Sequence, residues 1–239
     1  MHTFVLIHGA WHQGSAFDIT AEYLSKEGHH VYTPTVYGNQ PGNPKSATLN
    51  EAIDSIISFF QDNNLKNIIL VGHSYGGMII TGVANRLPNA IRRLVYCNAF
   101  VPNADECLED MTPESFSSLA DSLTDKKGGF MIPFEIWREN FMNDGTLEMA
   151  QKSYDKLNSH PRRTFTDRIS LSENPSEFKI KKSYVNFTDD TALPQSLGWH
   201  PRLSEKLGVF RLIQEKGAHE VCFTNPSLLA KTILRASLD

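Results

Sequence analysis

Short apolar runs rich in β-branched residues recur along this 239-residue chain, and longer mixed stretches separate most of them. Apolar runs of four to six residues are typical of strands buried on both faces, and several of the longer stretches carry helix-ending or helix-capping residues. We therefore predict an α/β fold with about six parallel strands alternating with helices. The predicted strands are residues 4–7, 31–34, 67–71, 93–97, 182–187 and 209–213, and the predicted helices are 15–27, 49–63, 77–87 and 225–235.

This alternation stops after the fourth predicted strand. Residues 133–142 and 146–157 have helical patterns there, but glycine-containing turns interrupt them. We predict that residues 103–180 form a helical cap, and that residues 1–102 and 181–239 together form the core of the protein. The chain shows no internal repeat and no linker long enough to divide it.

Residues 72–76 have the pattern Gly-X-Ser-X-Gly and lie between a predicted strand and a predicted helix. The chain must reverse direction there within a few residues, with Ser74 at the apex. Gly72 and Gly76 flank it because a side chain would collide across so tight a turn. The hydroxyl is then exposed at the carboxyl end of a strand, over a helix N-terminus. The flanking strand and helix therefore predict that Ser74 is a nucleophile. The alternative is a chance match of the pattern in a glycine-rich turn.

A serine nucleophile needs a base, and the base needs an orienting acid. His219 lies between the last predicted strand and the last predicted helix, where this architecture places its base. Two aspartates follow the fifth predicted strand and compete for the acid role. We favour Asp190, because of its D-x-x-x-P spacing to Pro194, and we interpret Asp189 as a turn or capping residue.

The transition state also needs donors for an oxyanion. We predict that the backbone N–H groups of Tyr75, directly after the nucleophile, and Ala10, in the loop after the first strand, provide them. A phosphate-binding loop is the alternative for this glycine-containing turn. It is disfavoured because no G-x-G-x-x-G or Walker pattern follows.

Composition narrows the possible partners. The net charge of −4 gives no electrostatic basis for binding nucleic acid or an anionic membrane, and no apolar run approaches the length of about 18 residues that a membrane span needs. No basic leader with a cleavage site is evident. Cys97, Cys107 and Cys222 show no C-x-x-C spacing, so we expect free thiols, a cytoplasmic location and no metal.

Taken together, these motifs resemble the α/β-hydrolase superfamily, in particular the small branch that contains plant salicylate methyl esterases, hydroxynitrile lyases and related bacterial esterases. The resemblance implies an α/β-hydrolase fold with the cap inserted after the fourth strand. It also implies hydrolysis of a small carboxylic ester through an acyl-enzyme, without a cofactor, by a monomer or homodimer. The matching segments are residues 4–12, 71–78, 98–102, 190–194 and 216–219.

Two departures bear on the type of reaction. The hydroxynitrile lyases have a threonine where Ala10 stands, and a lysine directly after the catalytic histidine, where this chain has Glu220. That lysine stabilises departing cyanide, and a carboxylate facing the pocket would do the opposite. The departures therefore favour ester hydrolysis over lyase chemistry.

Aromatic residues of the cap and of the first loop predict an apolar substrate pocket. The alternative is that most of them only pack the cap onto the core. The same fold could also open lactones, cleave C–C bonds, perform cofactor-free oxygenation or bind a ligand with only a residual triad. The residues predicted to contact a substrate with an aromatic or alkyl body are Trp11, His12, Phe134, Trp137 and Phe141.

Overall fold

Six strands form one parallel sheet in the part of the protein that the computed structural model describes, residues 1–238. They run in the spatial order β2-β1-β3-β4-β7-β8, and each neighbouring pair is parallel. The predicted α/β-hydrolase fold class is confirmed. The strands are β1 (Thr3–Ile7), β2 (His30–Tyr32), β3 (Ile68–His73), β4 (Ile91–Cys97), β7 (Lys181–Phe187) and β8 (Arg211–Glu215), and a separate antiparallel pair consists of β5 (Gly129–Phe130) and β6 (His160–Pro161).

Helices cover both faces of the sheet. Residues of β3 alternate between two buried apolar clusters: Ile68 and Leu70 belong to one, and Ile69 and Val71 to the other. All six residues of β3 are buried, which explains its unbroken apolar run. The helices are α1 (Asp18–Lys26), α2 (Leu49–Asp62), α3 (Gly76–Arg86), α4 (Glu114–Leu123), α5 (Phe134–Ile136), α6 (Leu147–Tyr154), α7 (Arg163–Thr166), α8 (Val221–Thr224) and α9 (Pro226–Ser237).

The last strand lies two residues later than predicted. Strand β8 begins at Arg211, and Val209, the predicted start, is 90% exposed. Because β8 is an edge strand, only Ile213 of its five residues is buried, so its apolar pattern is weak. The apolar Val209 and Phe210, which precede β8, therefore led to a predicted start that is two residues too early.

The interval between β4 and β7 contains helices α4 to α7 and the β5–β6 pair. Helix α5 continues directly into a π-helical turn, Trp137–Phe141, and Thr146 caps α6 by accepting a hydrogen bond from the N–H of Met149. The boundaries 103–180 of a separate cap stay a prediction. None of the helices within residues 1–238 is long and apolar enough to cross a membrane.

Candidate active site

Ser74 lies at a sharp turn between β3 and α3. Its φ of +54° is in the left-handed region, which non-glycine residues seldom adopt. A Cβ added at Gly72 would lie 2.7 Å from the carbonyl oxygen of Gly76, and one added at Gly76 would lie 2.5 Å from that of Ile7. Both positions therefore require glycine, and together they permit the turn that presents the hydroxyl at the carboxyl edge of the sheet.

His219 and Asp190 form a close buried pair. The Nδ1–H of His219 donates a hydrogen bond of 2.6 Å to Oδ2 of Asp190, and both side chains are 1% exposed. Because this bond fixes the tautomer, Nε2 of His219 is free to accept a proton. Ser74 and His219 line the same cavity. The exposed Asp189 does not contact the imidazole; its N–H donates to the carbonyl of Gly217, in keeping with a turn residue.

Asn98 and Ala192 orient the Asp190 carboxylate. The side-chain amide of Asn98 donates to Oδ2, and the backbone N–H of Ala192 donates to Oδ1 at 2.8 Å. Asn98 is itself held by Phe187, whose N–H donates to Oδ1 of Asn98 at 2.6 Å. No local sequence pattern points to Asn98, because its contact with Asp190 spans 92 residues.

Two aromatic rings enclose the imidazole of His219. The indole of Trp199 stacks on it, with ring centroids 5.2 Å apart and an interplanar angle of 19°. Phe141 meets it edge-on at 5.3 Å. No sequence motif points to Trp199 either, since it lies in an irregular segment. The two rings restrict the orientation of the base.

The pKa of His219 reflects opposing influences. Burial lowers it, but the charge of Asp190, the hydrogen bond to Asp190 and the charge of Glu220 together outweigh burial and raise the pKa above 6.5. The imidazolium that would form during proton transfer is therefore favoured in this site.

The two predicted oxyanion donors are available for a ligand. No backbone hydrogen bond within residues 1–238 engages the N–H of Ala10 or of Tyr75, and Tyr75 lies at the N-terminus of α3, where the helix dipole favours negative charge. The loop after β1, which contains Ala10, is held in place at the neighbouring Trp11. The N–H of Trp11 donates to Nδ1 of His160 at 3.2 Å, and its carbonyl accepts 2.9 Å bonds from the backbone and side-chain amides of Asn158.

His160 holds this loop as a neutral imidazole. Its Nδ1 also accepts a 2.8 Å bond from the side chain of Asn39, so its proton must be on Nε2, which donates to Thr164. Burial and then the neighbouring His8, Lys45 and His12 hold the pKa of His160 well below 6.5. Residues between β4 and β7 thus fix the backbone of Trp11, directly beside Ala10.

The cavity at Ser74 is small and apolar. Its volume is about 80 Å³. Larger open grooves lie away from Ser74, near the amino-terminal ends of the strands. Thr112 adds a hydroxyl to the wall, whereas the main part of the wall is aromatic. The aromatic lining residues, apart from Tyr75, are Trp11, Phe100, Phe116, Phe141, Phe165 and Trp199.

Three of the five predicted substrate contacts do not line this cavity. Trp11 and Phe141 do line it. The indole N–H of the buried Trp137 donates to Ser153, and its ring stacks on Phe141 with centroids 5.6 Å apart. Phe134 packs against Tyr154, and His12 pairs with Glu220. Packing among residues 134–154 and a buried polar contact account for these three side chains.

Glu220 does not line the cavity either. Its side chain is 2% exposed, and Oε1 accepts a 3.1 Å hydrogen bond from Nε2 of His12. Glu220 therefore does not face the pocket, contrary to the assumption behind the case against lyase chemistry, because its side chain turns toward His12. The effect of its charge on departing cyanide stays a prediction. The alanine at position 10 remains as a departure from the lyase pattern.

One group within residues 1–238 has the ligand types for a metal. A nitrogen of His73, a nitrogen of His219 and a carboxylate oxygen of Glu220 lie within 4.8 Å of one another. Each side chain already makes a hydrogen bond to protein: His73 to the carbonyl of His219, His219 to Asp190, and Glu220 to His12. A metal ion would have to compete with these bonds.

A strand–serine–helix turn beside a His–Asp pair, at the carboxyl edge of a parallel sheet, defines the class of α/β proteins with a nucleophile elbow. The chain belongs to the alpha/beta hydrolase family, whose sequence pattern matches residues 4–231.

Known relatives support this assignment. The chain is similar to an extracellular alpha/beta-hydrolase from a Paenibacillus species, described as sharing structural and functional homology with tobacco salicylic acid binding protein 2 (34% identity, all of both chains, TM-score 0.96). It is 44% identical to a carbendazim hydrolyzing esterase from Nocardioides sp. over 118 residues, which is about half of each chain (48% and 49%). It is 24% identical to an alpha-hydroxynitrile lyase from Arabidopsis thaliana over 100% of this chain and 98% of the lyase.

Proposed function

We propose that this protein is a carboxylic ester hydrolase that works through an acyl-enzyme on Ser74. The observation that carries the proposal is the orientation of His219, whose Nδ1–H is fixed on Asp190 while the residue lines the cavity together with Ser74. Esterases among the relatives support the same reaction class.

The proposed reaction has two steps. Oγ of Ser74 attacks the ester carbonyl while His219 Nε2 takes its proton, and the N–H groups of Ala10 and Tyr75 stabilise the oxyanion. Collapse of this intermediate breaks the ester C–O bond, and the imidazolium returns its proton to the leaving alkoxide. Water then attacks the acyl-enzyme with His219 as base, which releases the acid and restores Ser74.

The proposed substrate is small and has an aromatic or alkyl body. The cavity is lined mainly by aromatic rings, which favour apolar groups, and its volume is well below the roughly 300 Å³ at the lower end of common ligand pockets. Trp11 and Phe141 lie on its wall as the proposed substrate contacts. We extend the proposal to a monomer or homodimer that needs no metal or other cofactor.

A panel of p-nitrophenyl esters tests the proposal. We expect turnover of short alkyl and small aryl esters, falling as the acyl chain grows beyond what the cavity holds, and no turnover above background by Ser74→Ala. Mandelonitrile is the comparison substrate. Cleavage of mandelonitrile without hydrolysis of any ester would contradict the proposal and favour lyase chemistry.

The pH dependence of hydrolysis gives a separate prediction. His219 must be neutral to accept the serine proton, and its pKa is raised above 6.5. Therefore kcat/KM should rise with pH and reach its plateau only above the pH expected for an ordinary imidazole. A pH–rate profile from pH 5 to 9 measures this. An apparent pKa below 6.5 would show that Asp190 and Glu220 do not outweigh burial.

The proposed location is the cytoplasm. Cys97, Cys107 and Cys222 are buried and unpaired, as expected in a reducing compartment. The Paenibacillus relative is described as extracellular, so cell fractionation is the appropriate check. Esterase activity confined to the secreted fraction would contradict this part of the proposal.

A further inference from the structure

A second histidine–carboxylate pair is buried directly behind the proposed catalytic base. Glu220 Oε1 accepts a 3.1 Å bond from Nε2 of His12, and Oε2 accepts a 3.4 Å bond from Sγ of Cys222. The side chains of His12 and Glu220 are 3% and 2% exposed. A buried carboxylate is costly unless strong partners offset its desolvation, as His12 and Cys222 do here. Glu220 directly follows His219 in the chain.

The pair is close enough to act on His219. A carboxylate oxygen of Glu220 and a ring nitrogen of His219 lie within 4.8 Å of each other. His73 is the other close group: its Nε2–H donates to the carbonyl of His219 at 2.9 Å, and the two rings are 4.6 Å apart. The titratable groups around His219 are thus Asp190 at Nδ1, Glu220 and His73 beside it, and His12 behind Glu220.

We propose that Glu220 is a positioning residue for His219: its carboxylate, held by His12 and Cys222, is a second negative charge that stabilises the imidazolium during ester hydrolysis. This inference rests on the proposed function. Glu220 does not touch the substrate and takes no proton. The serine proton moves to His219 and then to the leaving alkoxide, and neither carboxylate accepts it.

The charge states of the surrounding groups support this role. Burial raises the pKa of Glu220, but His12, His73 and His219 outweigh burial and lower it to about 2, so Glu220 is an anion under all working conditions. Burial, followed by the neighbouring His219, lowers the pKa of His73 to about 4, so His73 is neutral when His219 becomes charged. Glu220 is therefore a fixed negative charge near the base.

The decisive variant is Glu220→Gln, which keeps the shape of the side chain and removes its charge. Loss of one negative charge within 4.8 Å should lower the pKa of His219 by about one unit. The acidic limb of the kcat/KM profile then moves to lower pH by the same amount. The plateau at alkaline pH should fall about threefold to tenfold, because a weaker base transfers protons less efficiently.

A direct titration of His219 separates this proposal from the proposed function. NMR of the imidazole nitrogens reports the pKa of His219 in Ser74→Ala and in Ser74→Ala/Glu220→Gln, whether or not the protein hydrolyses an ester. Glu148→Gln, which removes an exposed charge paired with Lys152 in α6, is the matched control and should shift neither the titration nor the profile.

The titration and the ester assay together distinguish three outcomes. A lower His219 pKa in Glu220→Gln, with an unchanged value in Glu148→Gln, supports the proposal even if the natural substrate is not an ester. An unchanged pKa in a folded Glu220→Gln protein overturns it, since a carboxylate that only anchors the loop would not alter the titration. If the pKa shifts but no ester is hydrolysed, the proposed function fails and the electrostatic coupling stands.

Discussion

Ser74→Ala and His219→Ala should each reduce kcat/KM for the best ester of the panel by about 10⁴-fold to 10⁶-fold. Without Oγ no acyl-enzyme can form, and without the imidazole Oγ keeps its proton and remains a weak nucleophile. The two losses should be nearly equal, and the double variant should be no worse than either one, because the groups act as a unit. Steady-state kinetics on purified proteins measure these losses.

Ser122→Ala is the matched control for this prediction. Ser122 is an exposed serine in α4 whose hydroxyl donates to the carbonyl of Leu119, so its removal should leave kcat/KM unchanged. Melting temperatures show whether each variant is folded. Ser74→Ala activity within tenfold of the unaltered protein would mean that a different group attacks the ester.

Asp190→Asn should cost about 10⁴-fold in kcat with little change in KM. An amide at this position no longer carries the charge that favours the imidazolium, and its NH₂ group can turn toward Nδ1 and select the wrong tautomer. The loss should be greatest on the alkaline plateau, because without the Asp190 charge the pKa of His219 falls and the acidic limb of the variant moves to lower pH.

The neighbouring Asp189→Asn provides the comparison. Asp189 is exposed and contacts Gly217 through its backbone, so its variant should stay within about threefold of the unaltered protein. Equal losses in both variants would indicate damage to the shared loop. A larger loss in Asp189→Asn would show that the D-x-x-x-P spacing selects the wrong acid.

Local signals predicted the strands of the sheet and the candidate triad residues, although β8 begins two residues later than predicted. Strand β3 is buried along its whole length, so its apolar run is unambiguous, and the glycines around Ser74 are required by contacts shorter than 3 Å. His219 and Asp190 each follow a strand at the same edge of the sheet, a position that chain order alone predicts.

Contacts between distant segments were not predictable in this way. Asn98 reaches Asp190 across 92 residues, and His160 reaches Trp11 across 149, and neither has a local pattern. The same limit applies to the orientation of the Glu220 side chain, because it depends on a hydrogen bond with His12, which lies 208 residues away in the chain. Residue type and spacing identify the groups that do chemistry, whereas the groups that hold them depend on tertiary packing.

Covalent labelling of the nucleophile tests the central claim most directly. The protein should be treated with a small alkyl fluorophosphonate, digested, and mapped by mass spectrometry, with His219→Ala treated in parallel. We predict one phosphonyl adduct on Ser74, loss of ester hydrolysis in proportion to labelling, and far slower labelling of His219→Ala. Complete loss of activity with the adduct on another residue, or full activity with Ser74 labelled, would contradict the acyl-enzyme mechanism.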